Sequence, residues 1–174
     1  MKTLFLSLIA LSITLMLHAQ ANPIDEMFNK YSEKEGFTVV SISSKMFSMF
    51  ADQDKKNQET DDIINRLKSI RILSVEDSLL NLNLNFYTEL SRKLNLSEYE
   101  ELMAVKEGHD VTKFLIRQNG NVISELLVVT GGPGGNSLIS IKGDLNLKSI
   151  SDLSKSMDIQ ELKSLDNMEK KNPR

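Results

Sequence analysis

Apolar positions recur along this chain with two periods, and the change between them marks its elements. In "NPIDEMFNKYSEKEG" (22–36), Ile24, Met27, Phe28 and Tyr31 fall at helical spacing and form one apolar stripe. Asn22 stands at the capping position, Pro23 opens the first turn, Asp25 and Glu26 sit near the positive helix end, and Gly36 stops the run. "FTVVSIS" (37–43) is β-branched and reads as a strand. "SKMFSMFA" follows as a helix with Ser43 or Ser44 as its cap. Beyond the charged run "DQDKKNQETDD", Ile63, Leu67 and Ile70 predict a further helical stripe, and "RILSV" a short second strand. "DSLLNLNLNFYTELSRKLNL" carries both periods. Leu80, Leu82, Leu84 and Phe86 alternate as in a strand, whereas Phe86, Leu90 and Leu94 repeat as in a helix. Twenty Leu-rich residues without Gly or Pro favour a helix over 78–94.

From Tyr99 onward, "YEELMAVKEGHD", "VTKFLIRQ", "NVISELLVVTGG" and "NSLISIKGD" are apolar runs divided by turn residues. Gln118-Asn119-Gly120-Asn121 centres on Asn-Gly, a strong hairpin signal, and Glu107-Gly108-His109-Asp110 is a turn before it. These runs predict an antiparallel meander of three strands, or four if 100–106 is extended rather than helical. "NLKSISDLSKSM" then places Leu147, Ile150, Leu153 and Met157 on one helical face. The tail carries Ile159, Leu162, Leu165 and Met168 and frays into a charged end at 166–174. The pattern predicts a single α+β domain over 22–165. Its mixed or antiparallel sheet has a C-terminal β-meander, with helices packed mainly on one face.

The opening "MKTLFLSLIALSITLMLHAQAN" does not belong to that fold. Lys2 is followed by an apolar stretch from Leu4 to Leu17 and then by the small residues Ala19 and Ala21. Residues 1–19 read as a secretory signal peptide, cut after Ala19 or after Ala21. The apolar part is short for a span of roughly twenty residues, so no transmembrane segment is expected in the mature chain. There is no Cys, which removes a disulfide framework, thiolate metal sites and a lipoprotein acceptor. Setting aside Lys2, 20 basic residues face 24 acidic ones, a net charge of −4 with His neutral. That balance offers no electrostatic footprint for nucleic acid.

Candidate chemistry is sparse. "VVTGGPGGNSLISIKGD" (128–144) holds five of the eight glycines. A phosphate loop would show GxxxxGK[ST] running into a helix. Here a strand precedes the glycines and Leu138-Ile139-Ser140-Ile141 follows them, so the segment reads as a strand-to-strand turn. His109 is the one histidine of the mature chain; it falls in a turn, and no G-x-S-x-G elbow accompanies it. Asp52, Asp54, Glu59, Asp61 and Asp62 fail the calcium-loop spacing, since the sixth and twelfth positions from Asp52 are Asn57 and Ile63. No catalytic residue, metal site or cofactor is therefore expected. Met46, Phe47, Met49 and Phe50 crowd four large apolar groups into five positions, too many for one narrow stripe. They read either as core or as a soft interaction patch.

The blocks 22–50, "YEELMAVKEG", "VTKFLIRQNGNVISELLVVTGG" and "SLISIKGDLNLKSISDLSKSM" resemble, in this order, a Bacteroidetes family of secreted proteins catalogued as domain of unknown function 4252. The resemblance implies an exported protein in the periplasm or cell envelope of a Gram-negative bacterium, with a possible link to envelope signalling. It supplies no catalytic or binding residues. Asp77-Ser78-Leu79 is similar to a short acceptor motif for O-glycosylation at Ser78. Two function classes follow: a non-enzymatic binding module that meets another envelope protein, or a cofactor-free enzyme using carboxylates, for instance on glycans.

Overall fold

The computed structural model describes residues 22–51 and 65–146. The expected signal peptide, the acidic run 52–64 and the helices expected after Asn146 lie outside the described residues. Helix α1 spans Pro23–Tyr31, strand β1 Phe37–Ser43, helix α2 Ser44–Ala51 and strand β2 Leu67–Val75. Two short helices follow, α3 (Ser78–Asn81) and α4 (Phe86–Ser91), then a 3-10 turn at Leu96–Glu98. Strands β3 (Glu100–Glu107), β4 (Asp110–Asn119), β5 (Val122–Gly131) and β6 (Ser137–Leu145) complete the described chain. The six strands form one sheet in the order β1-β2-β6-β5-β4-β3, with every neighbouring pair antiparallel.

The meander is thus four strands, β3 to β6, joined to the antiparallel β1–β2 pair through β2 and β6. Its first two turns are the tight ones expected. Gly108 and Gly120 take φ of +59° and +60°, a left-handed backbone that glycine enters without steric cost. The pair at the second tip is Gly120-Asn121, since Asn119 faces Val122 across it.

Two expectations change. Leu67 and Ile70 belong to β2 and not to a helix. A register shift between Leu67 and Ser69 lets residues three apart point to the same face, which imitates helical spacing. The single helix expected over 78–94 is two pieces. Asp77 caps α3 through Leu79 N–H, and Asn85 caps α4 through Thr88 N–H. Asparagine favours caps over helix interiors because its side chain competes for backbone groups. Asn85 interrupts the leucine run for that reason.

Both faces of the sheet are apolar. On one face α1 and α4 lay Ile24, Phe28, Tyr31, Phe86 and Leu90 over Leu73, Leu115, Leu127, Val129 and Leu138. Tyr31 stacks on Phe37 at 4.6 Å between ring centroids and meets Phe86 at 5.2 Å. On the other face Ile70, Phe114, Ile116, Leu126, Val128, Ile139 and Ile141 form a second cluster, and α2 contributes Phe47 to it. Helices α1 and α4 therefore share one face while α2 packs on the opposite one. Double-sided burial explains why "ELLVV" in β5 reads as a continuous apolar run and not as an alternation. Each large side chain removed from water contributes about 1.5–3 kcal/mol.

Candidate binding cleft

The glycine-rich segment joins β5 to β6, strand to strand. Its backbone does cradle an anion, but the anion is internal: Gly134 N–H donates to Asp110 Oδ1 at 2.9 Å. A Cβ at Gly132 would lie 2.8 Å from Asp110 Cα, and one at Gly131 would lie 2.7 Å from Tyr87 N. Gly131 and Gly132 are thus positions of close backbone approach. Asn136, buried at the loop's end, ties it to the helices. Its Oδ1 accepts from Phe86 N–H at 2.8 Å, and its Nδ2 donates to Asn81 Oδ1, Leu84 O and Gly132 O at 3.0, 3.3 and 2.9 Å.

The chemistry concentrates elsewhere, on the face of the sheet that α1 and α4 cover. Glu125, in the middle of β5, is fully buried. Its Oε2 accepts from Tyr99 Oη at 2.9 Å and from Arg117 Nη2 at 2.8 Å. Its Oε1 accepts from Ser140 Oγ at 2.8 Å and lies 3.8 Å from Lys142 Nζ. Arg117 also reaches Glu98 at 3.7 Å, with its guanidinium 5.5 Å from the Tyr99 ring centre. A charge removed from water needs this many partners to be tolerated. Among the described residues no buried side-chain polar atom lacks a partner.

Above this network lies an open cleft of about 570 Å³, walled by Asn22 and Glu26 of the α1 end, Lys93, Glu98, Tyr99 and Arg117. Two cations and two anions line it, and they are mutually engaged: Lys93 pairs with Glu26 at 2.7 Å and Arg117 with Glu98. Asn22 caps α1 by accepting from Ile24 N–H at 2.9 Å, so its amide is held in place as well.

Burial pushes the Tyr99 hydroxyl well above the ordinary phenol range, and the adjacent Glu125 carboxylate adds to the effect. Burial also raises Tyr31, with the neighbouring Lys30 pulling the other way. For Glu89, burial acts upward, yet the hydrogen bonds from Lys30 (2.6 Å) and Tyr31 (2.7 Å) outweigh it and hold the carboxyl below its usual 4.5. The two tyrosines bind their protons more tightly in the folded chain. Their stabilising contribution is complete below pH 10.0, the ordinary phenol value, and is lost as pH rises through the raised folded values. Glu89 contributes in the opposite sense, above pH 4.5, and that contribution is lost as pH falls through its lowered value. In an alkaline titration followed by tyrosinate absorbance, Tyr31 and Tyr99 should ionise late and together with unfolding. Ionisation of every tyrosine near pH 10 with the fold intact would contradict this reading.

The residues singled out from the sequence are scattered. In the Met/Phe cluster, Phe47 is buried while Met46 and Met49 are 45% and 60% exposed; the side chain of Phe50 lies outside the described set. His109 is exposed in the β3–β4 turn. Ser78 is exposed at the first position of α3, beside the capping carboxylate of Asp77. Asp52 to Asp62 fall outside the described residues, as do Ala19 and Ala21. Among the described residues no three His, Cys, Asp or Glu side chains converge to hold a metal, and no helix is long and apolar enough to cross a membrane. The sequence reading passed over Glu125, Arg117 and Tyr99. A signal existed: Glu125 is the lone charge inside the apolar run of β5, and the hairpin at Gly120 brings it opposite Arg117.

Fold and cleft together define an α+β protein with a single antiparallel sheet, whose helical face carries a polar cleft over a buried carboxylate. A family model for the domain of unknown function DUF4252 matches residues 31–153, and the chain belongs to that family. No curated protein and no solved structure matches it.

Proposed function

We propose that this protein is an exported, non-enzymatic binding module of the periplasm or cell envelope, and that the cleft above Glu125 is its binding site. The observation that supports this reading is the state of the cleft's charges. Each cation already faces an anion, two against two, and burial holds the Tyr99 hydroxyl in its neutral, protonated form. Proton-transfer catalysis wants groups poised near the working pH. Recognition wants donors and acceptors fixed before the ligand arrives. A cleft with balanced charge and a half-buried tyrosine ring suits a polar ligand of low net charge, such as a peptide segment or a glycan of the envelope. The export reading rests on the signal pattern of residues 1–19, and the link to envelope signalling on the family resemblance. An enzyme working with carboxylates has less support, because Glu26 and Glu98 are both engaged in ion pairs at the cleft.

The test is an amide-resolved NMR titration of the purified protein with cell-wall peptides and oligosaccharides, with the ligand assayed afterwards. The expected result is a saturable shift of the Lys93, Tyr99 and Arg117 signals by at least one class, with the ligand recovered intact. A cleaved ligand would replace this reading with the enzymatic one, and signals that move only elsewhere would relocate the site.

A further inference from the structure

The two edges of the sheet are treated differently, and the difference points to a partner beyond the cleft. At one edge, β3 carries Glu100, Glu101, Lys106 and Glu107, and its register shifts between Glu101 and Met103. Charges and a bulge are the usual defences of an exposed edge. At the other edge, β1 has the sequence FTVVSIS, without charge, proline or glycine, and pairs with β2 over seven residues without a shift. Among the described residues nothing pairs with its outer side.

The hydrogen-bond phase of β1 fixes what it offers. Glu76 N–H donates to Gly36 O, so in this register Thr38, Val40 and Ile42 direct their backbone groups toward β2. Phe37, Val39, Ser41 and Ser43 therefore direct theirs outward. An antiparallel second copy of β1, related by a twofold axis at Val40, would pair Phe37 with Ser43 and Val39 with Ser41, and the reverse. Every outward donor and acceptor in the strand then finds a partner. The same axis sets Val40, 40% exposed, against its twin. An unrelated extended peptide could use the same backbone groups, but a second copy meets this edge with a strand that is itself uncharged and undefended, so that one contact covers both exposed edges and sets the two valines together.

We propose that β1 is a self-association edge, and that two copies of this chain join through β1 to make one continuous twelve-stranded sheet. Isologous contacts of this kind are the commonest route to homodimers.

Because the chain has no Cys, Val40→Cys introduces a single reporter. At a non-hydrogen-bonded pair the two α-carbons lie about 4.5 Å apart, within reach of a disulfide. Under mild oxidation the Val40→Cys protein should become a covalent dimer about tenfold faster or more than Val105→Cys, its counterpart on β3 with similar exposure. Sedimentation of the unmodified protein should give a dimer at micromolar concentration, and Val40→Lys a folded monomer by circular dichroism. A wild-type monomer, or equal cross-linking of the two cysteine variants, would overturn the proposal, whatever the outcome for the cleft.

Discussion

Replacing Arg117 by methionine is expected to cost about 3 kcal/mol of folding stability, because it removes the hydrogen-bonding cation from a carboxylate with no access to water. The value lies at the low end for a broken buried pair, since Lys142 remains 3.8 Å away and Tyr99 and Ser140 still donate. The double variant Arg117→Met/Glu125→Leu should regain most of the loss, because no charge is then left stranded. Urea denaturation of the two single variants and the double variant gives the coupling directly. Additive losses would mean that the pair does not act as a unit.

Asn136→Ala should be comparably damaging, at about 3 kcal/mol, although it deletes only one small polar side chain. It leaves the buried N–H of Phe86 without its acceptor and withdraws the donor shared by Asn81, Leu84 and Gly132. Each buried group so orphaned costs about 1–3 kcal/mol. Asn136→Asp separates the two roles. It keeps an acceptor for Phe86 but turns a carboxylate toward three oxygen atoms, so it should be no more stable than the alanine variant. The midpoint of denaturation is the measure, and an unchanged midpoint for Asn136→Ala would show that the loop and α4 are held by packing alone.

The sequence made the frame legible where one signal dominated. Ile24, Met27, Phe28 and Tyr31 lie on one buried helical stripe, and glycines at 108 and 120 mark the meander's tight turns. The glycine-rich turn was legible too, since strands flank it on both sides. It misled where a local irregularity imitated another period. The bulge at Leu67 and Ser69 gives β2 a helix-like spacing, and the caps Asp77 and Asn85 split one apolar run into two short helices. The cleft was hidden for a different reason. Glu125, Arg117, Tyr99 and Ser140 meet only once β4, β5 and β6 are side by side, and the bulge between Arg117 and Gln118 sets the register that joins the first two. Two-sided burial of the sheet also turned the expected alternation into a continuous run, so that a charge inside it carried the one visible hint.

Glu125 holds the cleft's wall in place from beneath, and amide hydrogen exchange tests that most directly. In Glu125→Gln, protection is expected to fall selectively at residues 96–99 and 116–118, while β1, β2 and α1 keep theirs. Unchanged protection around Tyr99 and Arg117 would contradict the account, because the cleft would then owe its shape to something other than the buried carboxylate.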